Sequence, residues 1–313
     1  MTGRVRLAVT LGDPRGIGPE IVAAVQRDAA CRTVADVTVV GPRGTVAAVD
    51  HEVGHWTTDA GAAGAGRLAG EAIERAVQLA QRGEVDGIVT APIDKAALHA
   101  GGYDFPGHTE MLAALTGSRV AMMLASAGAD NGPRPLRVVL ATTHIALRDV
   151  PNAVTAETII RAAEVTRQGL DQWFGIANPR IALCALNPHA GDGGRFGSED
   201  DTILAPAARR AGIAGPFPAD TVFVRALRGE FDAVVAPYHD VGMTAIKVAA
   251  FGRAVNVTLG LPFPRTSPDH GTALDIAGQG IADASSMKES VRVCAEIATR
   301  LRERRRVRLV PAG

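Results

Sequence analysis

The sequence predicts a two-lobed α/β protein with mostly parallel sheets and helices on both faces. Short β-branched apolar runs alternate with longer stretches of helical spacing, as in βα units wound around a parallel sheet. The chain has 313 residues and is 47% apolar, enough for one large α/β domain or for two lobes. Three of the apolar runs lead directly into a histidine, and in open α/β sheets the carboxyl ends of strands are where ligands bind.

Val5–Leu11 reads as the first strand and Gly18–Arg27 as the helix that follows it. Val37–Val40 is a strand, Leu68–Gln81 has helical spacing, and Gly87–Thr90 is a strand again. Arg119–Ala125 and Leu136–Thr142 are further strands, and Ala156–Trp173 is a long helix. Arg180–Leu186 is a strand followed by the helix Asp200–Ala211; Ala233–Ala236 and Val255–Leu259 are strands; Ser285–Arg302 closes the chain as a helix. The Gly/Ala-rich segment Gly61–Gly70 is expected to be a flexible loop, and Ser126–Pro135 a hinge. No fixed-period repeat is present. The expected division is a first lobe of residues 1–127 with about 275–313, a second lobe of 128–274, and an active cleft between them.

Lys+Arg and Asp+Glu are both 33, so the net charge is zero, which argues against a nucleic-acid or anionic-membrane partner. It leaves room for a local cationic pocket and a small anionic substrate. Cys31, Cys184 and Cys294 are far apart and odd in number, so no disulfide framework is expected and a reducing cytoplasm fits. No signal-peptide core or membrane span is legible.

The histidine-tipped strands are Val138–His144, Ile181–His189 and Ala233–His239. Three imidazoles brought to one edge can hold a divalent ion and leave a coordination position open. Each alone is also an ordinary loop histidine, and their wide spacing matches no local metal motif. Asp149, Asp192 and Asp240 lie nearby, as groups that orient ligand imidazoles or as turn formers.

Other junctions carry anion chemistry. Gly12–Glu20 is a tight βα turn with Pro19 near the helix start. Gly107-His108-Thr109-Glu110 opens a helix, where Thr109 is either an N-cap or, with His108, an anion contact. Asn187–Gly194 is dense in glycine, as in a disordered surface loop or where backbone approaches a ligand, and its attachment to His189 favours the second. Lys247, Asn256 and Arg265 combine a point charge, an amide and a guanidinium fork suited to phosphate. In Asp269–Gly278, Asp275 is the candidate acceptor for ribose hydroxyls, which favours NAD over NADP.

Together these blocks resemble the 4-hydroxythreonine-4-phosphate dehydrogenase family of vitamin B6 biosynthesis, from Leu11 to about Asp283. The blocks are Gly12–Glu20, Thr90–Lys95, Gly107–Glu110, Ala141–Val150, Leu186–Gly194, Tyr238–Gly242 and Phe251–Gly278. The last also resembles the adenosine loop of isocitrate and isopropylmalate dehydrogenases, so the implied fold is of that kind. The resemblance implies metal ligation by His144, His189 and His239, and substrate contacts by His108, Thr109, Lys247, Asn256 and Arg265. It places NAD at His270, Gly271, Thr272 and Asp275, with Lys247 and Asp240 as catalytic candidates. It further implies one divalent metal per subunit (Zn, Mg, Mn or Co) and a homodimer with a shared active site. The implied reaction oxidises the C3 hydroxyl of 4-phosphooxy-threonine and then releases carbon dioxide. Arg15 replaces a usual Ala, Asp192 a Glu and Val241 a Gln, and Met243–Ile246 also departs. These departures bear on substrate choice. Relatives oxidise phosphorylated sugar acids or a cis-dihydrodiol dicarboxylate, and acyl or phosphoryl transferases share a related fold.

Overall fold

The structure is a computed structural model that describes residues 3–126, 134–250 and 254–309. The hinge expected at Ser126–Pro135 lies mostly outside the described residues. The chain forms two compact units. One holds Met1–Val120 with Val255–Gly313, the other Ala121–Ala254. The segment 255–274 therefore belongs with the first unit rather than the second, because its strands pair with that unit's sheet.

The first unit begins with β1 (Val5–Thr10), α1 (Gly18–Arg27), α2 (Ala29–Val34), β2 (Ala35–Arg43) and β3 (His51–His55). It continues with α3 (Gly61–Gln81), β4 (Gly87–Thr90), α4 (Lys95–Ala100) and α5 (His108–Thr116). The second unit contains β5 (Ala121–Ser126), β6 (Arg137–Leu140), α6 (Val150–Ala153), α7 (Ala156–Phe174) and β7 (Ile181–Cys184). α8 (Ala205–Ala211), β8 (Ala214–Phe217), α9 (Ala219–Leu227), β9 (Ala233–Ala236) and α10 (His239–Ala249) complete it. The chain then returns to the first unit with β10 (Ala254–Leu259), β11 (Arg265–Pro268) and α11 (Ser285–Leu309).

In the first unit the strand order is β3-β2-β1-β4-β11-β10, parallel except for the β10–β11 pair. In the second it is β5-β6-β9-β7-β8, parallel except for β5–β6. The expected mostly parallel α/β fold is thus present. β1 and β4 are almost wholly buried, as continuous apolar strands covered on both faces must be. α11 contributes Met287, Val291, Cys294, Ala295 and Ala298 to the core around β1. Its far end is tied down by Arg302, whose guanidinium forks onto the Asp86 carboxylate at 2.5 and 2.7 Å.

The Gly/Ala segment at 61–70 is helical, not a loop: α3 starts at Gly61. Its glycines serve packing. A Cβ on Gly66 would lie 1.7 Å from the Ala97 carbonyl oxygen, and one on Gly70 would enter the Tyr103 ring. Gly66 therefore lets α4 lie directly on α3. The cost of glycine in a helix, about 1 kcal/mol each, is offset by that close approach. The helix expected at Asp200–Ala211 forms as a π-turn over Asp200–Leu204 that runs into α8.

Candidate functional site

Of the residues expected to contact an anionic substrate, His108, Thr109, Asn256 and Arg265 lie on the first unit, and Lys247 on the second. Arg265 opens β11, level with Ile88 of β4, and its side chain reaches the strand end. Only 1% of it is exposed. Its Nη1 donates to Thr258 Oγ1 at 2.9 Å and its Nη2 to Thr90 Oγ1 at 2.5 Å, while Nε has no partner. Among the described residues no carboxylate forms an ion pair with it. Burial pushes its pKa down to about 10, and the nearby Glu110 opposes that shift. A buried guanidinium bonded only to neutral hydroxyls is costly unless an anion completes it.

His108 and Thr109 occupy the first two positions of α5, behind Gly107. Gly107 is the N-cap, and no side chain caps this helix, so Thr109 does not act as one. The first backbone N–H groups of α5 are left for a ligand. His108 Nε2 is buried without a hydrogen-bond partner. Its pKa is driven well below the usual value, first by burial and then by the positive charges of Arg265 and Lys95. His108 is therefore a neutral imidazole at pH 7. Asn256 Oδ1, on β10, is also buried and unpartnered. A buried guanidinium with an unpartnered Nε, an unpartnered imidazole nitrogen and an unpartnered amide oxygen thus lie on the same unit, the first two of a kind that suits an anion.

The second unit carries the histidines. Thr142 Oγ1 donates to the Pro237 carbonyl at 2.7 Å and ties the loops after β6 and β9 together. The imidazoles of His144 and His239 then stand with ring centroids 5.3 Å apart. They line a recess of 230 Å³ together with Thr143, Tyr238 and Asp240. His239 is the first residue of α10 rather than a strand terminus. Its Nδ1 lies 2.6 Å from Asp240 Oδ1, which leaves Nε2 for a ligand. Asp240, one of the three acids expected to orient an imidazole, is thus placed to do so for His239. Lys247 is exposed in the last turn of α10.

His189 sits in a strained loop. His189, Ala190 and Asp192 have φ of 54°, 56° and 46°, a left-handed backbone that non-glycine residues rarely adopt. Buried Asp200 holds the loop by accepting the Leu186 and Asn187 N–H groups at 2.8 and 2.9 Å. The His189 ring packs near Phe196, with centroids 6.3 Å apart. The structure thus brings two of the three expected metal ligands together. Among the described residues no group of three His, Cys, Asp or Glu side chains could hold an ion.

The dinucleotide candidates form an irregular loop against the turn after β1. Ile17 N–H donates to the Thr272 carbonyl at 2.9 Å, and a Cβ on Gly16 would lie 2.7 Å from that oxygen. Gly280 N–H donates to Glu20 Oε2 at 2.9 Å. His270 Nδ1 is 3.1 Å from the Gly271 carbonyl, and its Nε2 is buried and unpartnered. Asp275 is exposed on a turn, with no hydrogen bond to its carboxylate among the described residues. Glycine at 16 and the Glu20 contact hold this loop at the first βα junction, the usual edge for a dinucleotide.

The departures from the usual pattern separate. Val241 and Met243 pack against the second unit's core, because Gly242 seats α10 directly on β6 and β9. Arg15 instead lies at the strand-end edge, with its guanidinium forked onto buried Asp13 at 3.0 and 2.6 Å. Sequence reasoning missed Lys95, the Thr90 and Thr258 hydroxyls that cradle Arg265, and the Asp13–Arg15 pair. Only the Thr90–Lys95 block pointed that way.

Fold and site suit an α/β enzyme that takes an anion at its strand ends, where Arg265 is buried without a carboxylate. Residues 9–294 match the family described as "Pyridoxal phosphate biosynthetic protein PdxA". The chain is 42% identical to a 4-hydroxythreonine-4-phosphate dehydrogenase of Synechococcus sp. (strain JA-3-3Ab), over 94% of each chain. It is 44% identical to a D-threonate 4-phosphate dehydrogenase of Cupriavidus necator, over 94% of this chain and 97% of that one. The solved 4-hydroxythreonine-4-phosphate dehydrogenase from Klebsiella pneumoniae superposes with a TM-score of 0.80 at 38% identity, covering 94% of this chain and 99% of that one. The chain belongs to the PdxA family.

Proposed function

We propose that this protein is a metal-dependent, NAD-linked dehydrogenase that oxidises 4-phosphooxy-L-threonine at its C3 hydroxyl. The observation that carries the reading is Arg265, a buried cation with two hydroxyl partners and no carboxylate. Arg265, Asn256, His108 and Thr109 hold the phosphate end of the substrate. Neutral His108 donates a hydrogen bond there without adding charge.

His144 and His239 fit an incomplete coordination sphere, two imidazoles with one tautomer fixed by Asp240. We infer that His189 completes it from a second copy of the chain. A divalent ion held by these histidines would supply Lewis acidity toward the substrate hydroxyl and ketone. His270, Gly271, Thr272 and Asp275 would hold NAD, which would supply the acceptor for the C3 hydride. Lys247 is the candidate to take the hydroxyl proton. The oxidised product is a β-keto acid, and loss of its carboxyl group as carbon dioxide leaves 3-amino-2-oxopropyl phosphate. No helix among the described residues is long and apolar enough to cross a membrane.

The test is a substrate panel with NAD and added Zn, Mg, Mn or Co, read as NADH formation. Turnover of 4-phosphooxy-threonine is expected. Preference for D-threonate 4-phosphate is the second reading, favoured by the 44% identity to that enzyme and by the shared 4-phosphate. Turnover of neither, with oxidation of a cis-dihydrodiol dicarboxylate, overturns the phosphate assignment. No NAD binding by calorimetry in the presence of metal and substrate overturns the dehydrogenase reading.

A further inference from the structure

We propose that Lys95 is a second phosphate-binding cation, acting with Arg265 and the first turn of α5 on the phosphate group of the substrate. The proposal rests on the reading above that the substrate carries a phosphate. Lys95 is the first residue of α4, and its place is set from both sides. Asp94 caps the helix by accepting the Ala97 N–H at 2.7 Å, and Arg15 Nη2 lies 3.7 Å from Asp94 Oδ1. Behind it, α4 rests on α3 through Gly66.

The side chain then leads to α5. Its Cε lies 3.7 Å from where a Cβ on Gly107, the N-cap of α5, would be. Its charge reaches His108, as that of Arg265 does. Lys95 is exposed and has no ion pair among the described residues. Glu110 Oε2 lies 3.6 Å from the same Gly107 point and acts on Arg265. One carboxylate thus faces two cations, and the cluster is left positive beside a helix N-terminus. The buried, unpartnered Nε of Arg265 is the independent sign that an anion belongs there. An exposed lysine is ordinarily solvated surface. This one reaches the N-cap of α5, where the single nearby carboxylate, Glu110, is shared with Arg265. A phosphate monoester carries close to two negative charges at pH 7 and takes a guanidinium fork, an ammonium and backbone N–H groups together.

The test compares wild type with Lys95→Ala and Lys95→Gln, using inorganic phosphate as a competitive ligand alongside steady-state kinetics. KM for the phosphorylated substrate and the inhibition constant of inorganic phosphate should both rise about tenfold or more, with kcat within about threefold. Both substitutions are on an exposed first turn, and unchanged thermal melting verifies the fold. Unchanged phosphate inhibition in both variants overturns the proposal. So does a raised KM with unchanged phosphate inhibition, since Lys95 would then serve another part of the substrate. If wild type oxidises no phosphorylated hydroxy acid yet binds inorganic phosphate through Lys95, the phosphate site stands and the proposed function falls.

Discussion

Arg265 separates stability from function at a single position. Its burial without a carboxylate costs folding energy, and only an anionic ligand returns that cost. Arg265→Met is therefore expected to unfold within about 1 kcal/mol of wild type in the absence of substrate, by urea denaturation. The same variant should lose about tenfold to a hundredfold in kcat/KM. A loss of several kcal/mol in stability would make Arg265 structural instead. His108 gives a pH signature. Its folded pKa lies well below the ordinary 6.5, so its contribution to stability is complete above that value and is lost as pH falls below it. Melting temperature should drop from pH 6.5 to pH 5 more steeply in wild type than in His108→Gln. Parallel pH profiles for the two would refute the buried neutral imidazole.

At the scale of elements, two segments that read as loops do structural work. α3 begins among glycines because α4 needs its backbone close, and Gly66 is the contact point. Gly66→Ala gains up to about 1 kcal/mol of helix propensity yet should destabilise the protein by about 1–3 kcal/mol net, because the methyl meets a carbonyl. An equally stable variant would show that α4 can move aside. The loop carrying His189 keeps its left-handed residues only while Asp200 receives the Leu186 and Asn187 N–H groups. Asp200→Ala strands both donors, for a loss of about 2–3 kcal/mol measured by chemical denaturation. Periodicity found α1, β4 and β9 at their observed limits because each has one clear pattern. It misread Gly61–Gly70 because composition does not say whether a glycine serves a turn or a helix contact.

For the whole molecule, the paired His144 and His239 and the separate strained His189 make the proposed metal site a question of copies. Mixed His144→Ala and His189→Ala proteins, allowed to exchange subunits, should recover about a quarter of wild-type activity if each site draws His189 from the other chain. Half the dimers are then mixed, and each has one complete site. No recovery despite confirmed exchange would place all three ligands in one chain. Sedimentation should show a dimer under assay conditions.

The sequence by itself determined the α/β class, the order of most strands and the longer helices, and the residue types expected at the site. Those follow from local periodicity and from side-chain chemistry, which need no coordinates. Tertiary structure decided that residues 255–274 join the first unit, because β10 and β11 pair beside β4. It also decided that Arg265 is buried beside hydroxyls, that Val241 and Met243 face the core, and that Lys95 stands at the mouth of α5. Each of these depends on contacts between residues distant in the chain, and no local pattern of sequence encodes where such partners meet.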